Sequence, residues 1–114
     1  MRYMMFVAVD TEPDTSGDAG LTIEEWSAEV DAAGVGVIGE RLRPVEEAKL
    51  VRVRNGEVLV TDAAFTESKE WIAGFDVLEC DSIDQAIAIA ARHPMARRGR
   101  LELRQFWPLS EGDN

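Results

Sequence analysis

The first nine residues, MRYMMFVAV, constrain the fold more than any other segment. The run from Tyr3 to Val9 is typical of a strand, and Met4, Phe6 and Ala8 lie on the face opposite to Tyr3. Both faces are apolar, and the helices of a small open sheet can bury only one of them, so something else must cover the second face. We expect helices of the same chain to cover one face and the matching sheet of a second copy to cover the other.

The overall composition limits the classes of protein to consider. The chain has 114 residues, of which 46% are hydrophobic and 30% charged, and this predicts one domain over residues 1–114. A net charge of −10 argues against nucleic-acid and anionic-membrane partners. The single cysteine, Cys80, excludes an internal disulfide and a multi-thiolate metal site. The apolar start is too short to cross a bilayer and lacks a signal-peptide cleavage pattern, so we expect a cytoplasmic protein. The sequence contains no Gly-rich phosphate loop and no metal cluster, so we expect neither a cofactor nor a metal.

Two segments carry start and stop signals for helices. Thr22 and Glu25 have the spacing of a capping box, and the apolar residues that follow keep helical spacing up to Gly34. Trp26 belongs to this apolar stripe, and core packing is favoured over a role as a ligand wall. Ser82 and Gln85 predict a second helix, which ends at Pro94.

The remaining apolar runs predict strands over residues 35–42, 72–80 and 100–107. Asn55-Gly56 lies between two alternating runs, 50–54 and 57–61, and is a strong hairpin signal. The order is therefore β-α-β, an inserted hairpin, then β-α-β. Without the hairpin this is the split β-α-β arrangement of an α+β, ferredoxin-like fold.

The segments MRYMMFV, AAGVGVIGERLRP and the run from VRVRNGEVLVTD to LELRQFW resemble the YCII-related family, in its branch named for an Asp-Gly-Pro-Phe (DGPF) motif. The resemblance covers nearly the whole chain and implies a dimeric α+β barrel. The Gly-Pro of the naming motif is Ala63-Ala64 here, and Asp76 stands where the family usually has a large apolar residue. The matched positions are Asp62, Phe65, Glu67, Lys69, Glu70, Gly74, Phe75, Glu79 and His93-Pro94.

Two residues are the main candidates for proton transfer. Asp76 lies between apolar neighbours in its strand, where a carboxylate is costly unless paired or wet, and Gly74 leaves space for a ligand. The alternative is an edge strand with Asp76 in solvent. His93, the only histidine, follows a helix whose dipole favours a charged imidazole, and it can pair with Asp62 or Asp76. The alternative for His93 is a C-terminal helix cap.

The segment VTDAAFTESKEWIAGF contains several charged side chains and a phenylalanine close together. It connects the hairpin to the strand predicted over residues 72–80 and includes the start of that strand. We expect its charged residues to form the rim of a cleft and Phe65 to anchor it in the core. An ordered loop held by an ion pair is the alternative. The matched strand positions Glu40 and Arg104 either line the same cleft or face solvent. The candidate ligand-binding residues are Phe65, Glu67, Lys69, Glu40 and Arg104, and Asp62 joins the two catalytic candidates.

The resemblance leaves two hypotheses about function. Some YCII-related proteins resemble enzymes that act on small cyclic compounds through a His/Asp pair, and the wider superfamily includes isomerases and lyases that need no metal. The first hypothesis is a homodimer that binds a small polar or cyclic compound, as a cofactor-independent proton-transfer enzyme or as a ligand binder. Many family members accompany alternative sigma factors, so the second is a non-catalytic accessory protein in transcriptional control. Fold analogy alone does not decide between them.

Overall fold

The computed structural model describes residues 1–9, 13–14, 16–17, 20–62 and 72–110. Six strands, three α-helices and one 3₁₀ turn make up this part of the chain. In chain order they are β1 (Arg2–Val9), α1 (Ile23–Ala33), β2 (Gly36–Arg41), the 3₁₀ turn (Val45–Glu47), β3 (Lys49–Arg54), β4 (Glu57–Asp62), β5 (Ile72–Glu79), α2 (Ile83–Ala91), α3 (Met95–Arg98) and β6 (Gly99–Gln105).

Four of the strands form one antiparallel sheet in the order β2-β5-β1-β6. This order and the connecting helices confirm an α+β fold with the split β-α-β arrangement and an inserted hairpin. β1 lies between β5 and β6 and is an inner strand of this sheet. Tyr3, Met5 and Val7 are buried under the helices, while Met4 and Phe6 on the opposite face are half-buried.

Helix α1 begins and ends where the sequence predicts. Thr22 Oγ1 accepts the Glu25 backbone N–H at 3.1 Å, and Glu25 Oε1 accepts the Thr22 backbone N–H at 3.0 Å. Gly34 ends the helix with a φ of 69°, in the left-handed region that glycine adopts without strain. Trp26 and Val30 face the core, and the Trp26 indole N–H donates to the Ile89 carbonyl at 2.9 Å, which ties α1 to α2.

The second helix differs from its prediction in two details. Ser82 Oγ accepts the Gln85 backbone N–H, but the Gln85 side chain accepts from the Asp81 N–H, so the capping box is only half formed. The chain also does not pass directly from Pro94 into the last strand. It makes the short helix α3 first, because proline is well tolerated at a helix start.

Strands β3 and β4 form a separate two-stranded sheet. Asn55 and Gly56 have φ values of 52° and 80°, the signs that a type I′ turn requires at its two central residues. The structure confirms the predicted hairpin, and each strand is one residue longer than expected.

Candidate functional site

A cavity of about 630 Å³ opens between the first turn of α1, the β2–β5 side of the sheet and the segment from His93 to Arg98. Its volume is within the usual range for small-molecule sites, about 300–1,000 Å³. The polar and aromatic side chains along its wall include Trp26, Arg41, Asp76, His93 and Arg98.

Asp76 reaches the cavity from β5, which lies between β2 and β1. The alternative of an exposed edge strand is therefore wrong. In the register, Asp76 is opposite Met5 on one side and Gly39 on the other. A Cβ on Gly39 would lie 2.8 Å from Asp76 Cγ, so the carboxylate occupies the space that this glycine leaves.

The Asp76 carboxylate has no ion-pair or hydrogen-bond partner among the described residues. Burial is the cause of its altered acidity and raises its pKa from 3.8 to about 6. No buried side-chain oxygen or nitrogen in the described ranges is left unsatisfied, so the carboxylate oxygens meet the cavity rather than a dry core. Asp76 thus has the pKa of a general base that works near neutrality.

His93 is buried at 6% exposure and lines the same cavity. Its Nδ1 accepts the Met95 backbone N–H at 2.9 Å, so the proton of the neutral ring resides on Nε2. The ring stands edge-to-face against Trp26, with centroids 4.6 Å apart and an interplanar angle of 68°. These contacts fix the ring plane and the tautomer.

Two expectations for His93 need correction. The helix dipole was expected to favour a charged imidazole, whereas burial lowers the pKa of the His93 ring and disfavours the charged form. The ring is also not the C-terminal cap of α2. Arg92 takes that position, and the His93 ring instead accepts the first N–H of α3.

Asp76 and His93 therefore share one cavity without a direct bond between them. Burial is the only cause of either pKa change, and within the described residues neither group forms an ion pair. A compound in the cavity would meet a carboxylate that accepts a proton and an imidazole Nε2–H that donates one. Coupling between their titrations stays a prediction.

The other predicted site residues occupy different places in the structure. Glu40 lines the cavity. Asp62 instead forms an ion pair with Lys49 at the base of the hairpin, and neither lines the cavity. Arg104 lies opposite Met4 on the other face of the sheet, so the expectation that it lines this cleft is wrong. Phe65, Glu67 and Lys69 lie outside the described residues.

Several residues of the cavity wall were not among the predicted site residues. Arg41 and Arg98 line it, and both sit where a strand or helix ends and no local pattern marks a site. Gly39 did carry a signal, because a glycine inside a strand often marks a close approach. Trp26 is both core and wall, since its ring is 2% exposed and still borders the cavity.

The described residues contain no group of three or more His, Cys, Asp or Glu side chains that could hold a metal ion. Cys80, which sits just after β5, is buried, and burial raises the pKa of its thiol. No helix in the described ranges is long and apolar enough to cross a membrane.

Comparison with known proteins agrees with this fold. A family model described as the YCII-related domain matches residues 1–110. The uncharacterized protein R00369 of Rhizobium meliloti (strain 1021) is 38% identical over 61 residues, which are 54% of this chain and 48% of that protein. The match thus spans about half the length of that curated relative. Because the family model covers nearly all of the sequence, the chain belongs to the YCII-related family.

Proposed function

We propose that the cavity binds a small polar or cyclic compound and that Asp76 and His93 exchange protons with it, as in an isomerase, lyase or dehydratase. The observation that carries the proposal is the Asp76 carboxylate, held over Gly39 in a cavity with its pKa raised to about 6. Burying a carboxylate without a partner is unfavourable, and perturbed acids in clefts are concentrated at functional sites.

In the proposed reaction, Asp76 and His93 have different roles. Asp76 in its ionised form accepts a proton from a carbon next to a carbonyl group of the bound compound. His93 Nε2–H donates a hydrogen bond to the carbonyl oxygen, where negative charge develops. Return of the proton from Asp76 to a different carbon completes an isomerisation, and its delivery to a departing hydroxyl completes a dehydration.

A binding screen with matched variants tests this function. Fragments of small cyclic ketones, phenols and hydroxy acids are screened by ¹H–¹⁵N NMR against the wild type, Asp76→Asn and His93→Asn. Asparagine keeps an acceptor near the Nδ1 position for the Met95 N–H but removes Nε2. We expect bound fragments to shift the amides of residues 74–76 and 93–95 and to bind at least tenfold more weakly to each variant. Fragments that bind all three proteins equally would refute the site and would favour the accessory-protein hypothesis.

We also propose that the protein is a cytoplasmic homodimer of the DGPF branch, joined through the face of the sheet that the helices leave uncovered. Met4, Phe6 and Phe75 lie on that face and are half-buried, and the exposed Ile38 extends the apolar area on β2. Such a face is covered in stable proteins, and a two-fold axis supplies a self-complementary cover. Light scattering should give about twice the chain mass, whereas a monomer at micromolar concentration would refute this arrangement.

A further inference from the structure

Two arginines line the cavity, and neither has a role in the proton exchange proposed above. Arg41 is the last residue of β2, and Arg98 is the last residue of α3, which packs on β1 and β6. In the sheet order β2-β5-β1-β6, the two arginines therefore approach the cavity from the two sides of β5, the strand of Asp76. Within the described residues, neither guanidinium group forms an ion pair or a hydrogen bond.

The sheet leaves space for a ligand between Arg41 and Asp76. Arg41 is opposite Gly74 in the register and Asp76 is opposite Gly39, so the two charged residues are diagonal neighbours on one face. The Cα atoms of such neighbours are roughly 7–8 Å apart, within the reach of a long side chain. Burial alone nevertheless determines the pKa of Asp76, so the guanidinium of Arg41 is not directed onto this carboxylate. The two glycines have no side chain to fill the space between the charges.

This cavity has an excess of positive charge in an acidic protein. The chain carries a net charge of −10, yet two arginines and a single ionised carboxylate, that of Asp76, line the cavity on this face of the sheet. Glu40 also borders the cavity, but it is opposite Phe75 in the register, so its side chain points to the other face. A ligand with one negative charge would balance the excess.

We propose that the compound bound in the cavity is an oxo acid, whose carboxylate binds to Arg41 and Arg98 while its carbonyl group and the adjacent carbon lie at Asp76 and His93. The assignment rests on the function proposed above and names the substrate class. A guanidinium group binds a carboxylate through two parallel N–H···O bonds, which fix the orientation of the ligand. This orientation also keeps the carboxylate of the ligand away from that of Asp76, which would repel it.

A matched pair of probes tests the assignment. 4-Oxocyclohexanecarboxylate and its primary amide are similar in shape and differ in charge, and ¹H–¹⁵N NMR titration gives both dissociation constants. We expect the wild type to bind the carboxylate at least about tenfold more tightly than the amide, because only the carboxylate forms charge-assisted bonds with the arginines. Arg41→Gln and Arg98→Gln should each reduce this preference to less than about threefold. Both arginines are exposed, so neither substitution should prevent folding.

Two further variants separate a specific site from a general effect of charge. Arg104→Gln removes the same charge from the opposite face of the sheet and should keep the full preference for the carboxylate. Arg41→Lys keeps the positive charge but loses the planar fork, so it should keep only part of the preference. A loss of preference in Arg104→Gln that equals the loss in Arg41→Gln would overturn the assignment.

Hydrogen exchange at the carbon next to the carbonyl distinguishes failure of the assignment from failure of the proposed function. In D₂O we expect the wild type to accelerate this exchange and Asp76→Asn to abolish the acceleration. Arg41→Gln should raise the probe concentration for half-maximal exchange and leave the rate at saturation within about threefold. Equal binding of carboxylate and amide, with exchange that still requires Asp76, would overturn the oxo-acid assignment and leave the proposed function in place. A preference for the carboxylate without exchange would support the arginine site and refute the proton transfer.

Discussion

Replacing Asp76 with asparagine should make the folded protein more stable at pH 8 but not at pH 4. In the folded chain the Asp76 pKa is raised from 3.8 to about 6, so the folded state binds this proton more tightly than the unfolded state. The contribution of Asp76 to stability is therefore fully present below pH 3.8 and is lost as the pH rises through about 6. Asparagine stays neutral throughout and avoids that loss.

The size of the effect follows from the pKa difference. A change from 3.8 to about 6, at 1.36 kcal/mol for each tenfold change in proton affinity, corresponds to about 3 kcal/mol. This is an upper limit, because the carboxylate faces a cavity that water can enter, and about 2 kcal/mol is the value we expect to measure. The gain should appear between pH 4 and about 7 and then level off.

Urea unfolding followed by tryptophan fluorescence measures this gain, since the buried Trp26 becomes exposed on unfolding. Wild type and Asp76→Asn are compared at pH 4, 6 and 8 and at one protein concentration, because association would otherwise alter the apparent stability. Asp31→Asn, on the exposed side of α1, is the control and should change the free energy of unfolding by less than about 0.5 kcal/mol at each pH. An Asp76→Asn effect of the same size at pH 4 and pH 8 would show that the pKa of Asp76 is not raised on folding.

Three further predictions concern the residues around Asp76. Gly39→Ala should destabilise the fold by about 1–3 kcal/mol and change the pKa of Asp76, because the new methyl group displaces the carboxylate. Urea unfolding measures the loss of stability, and a carboxyl NMR titration measures the change in pKa. Trp26→Phe should cost about 1–3 kcal/mol in urea unfolding, since the Ile89 carbonyl loses its indole donor. In Asp76→Asn the His93 titration, followed by NMR, should shift to lower pH, because a negative charge that favours the imidazolium is removed; an unchanged His93 titration would show that the two groups act independently.

The order of the elements could be predicted from the sequence because each local signal agreed with the final packing. The apolar run from Tyr3 to Val9 predicted strand β1, the Thr22–Glu25 capping box predicted the start of α1, and Asn55-Gly56 predicted the hairpin turn. Asp76 could be chosen as a candidate site residue because a carboxylate among the apolar residues of a strand is unfavourable. Residues that break the local pattern in this way are concentrated at functional positions.

The composition of the cavity wall and the environment of the hairpin could not be predicted in the same way. Arg41 and Arg98 meet at the cavity only after the sheet has formed, and they are distant in the sequence. The alternation in β3 predicts that its valines share a face but not that they are exposed in the part of the chain that the structure describes. The helix dipole indicated a charged His93, whereas burial, which depends on tertiary packing, determined the direction of its pKa shift.

A carboxyl ¹³C NMR titration of Asp76 measures whether this side chain, partly buried in a ligand-sized cavity, exchanges its proton near neutrality. We expect a midpoint at about pH 6 in the wild type, and we expect this midpoint to move further when a fragment that contacts His93 is bound. A midpoint at its ordinary value of 3.8, unaffected by any bound fragment, would show a solvated strand residue and contradict the proposed function.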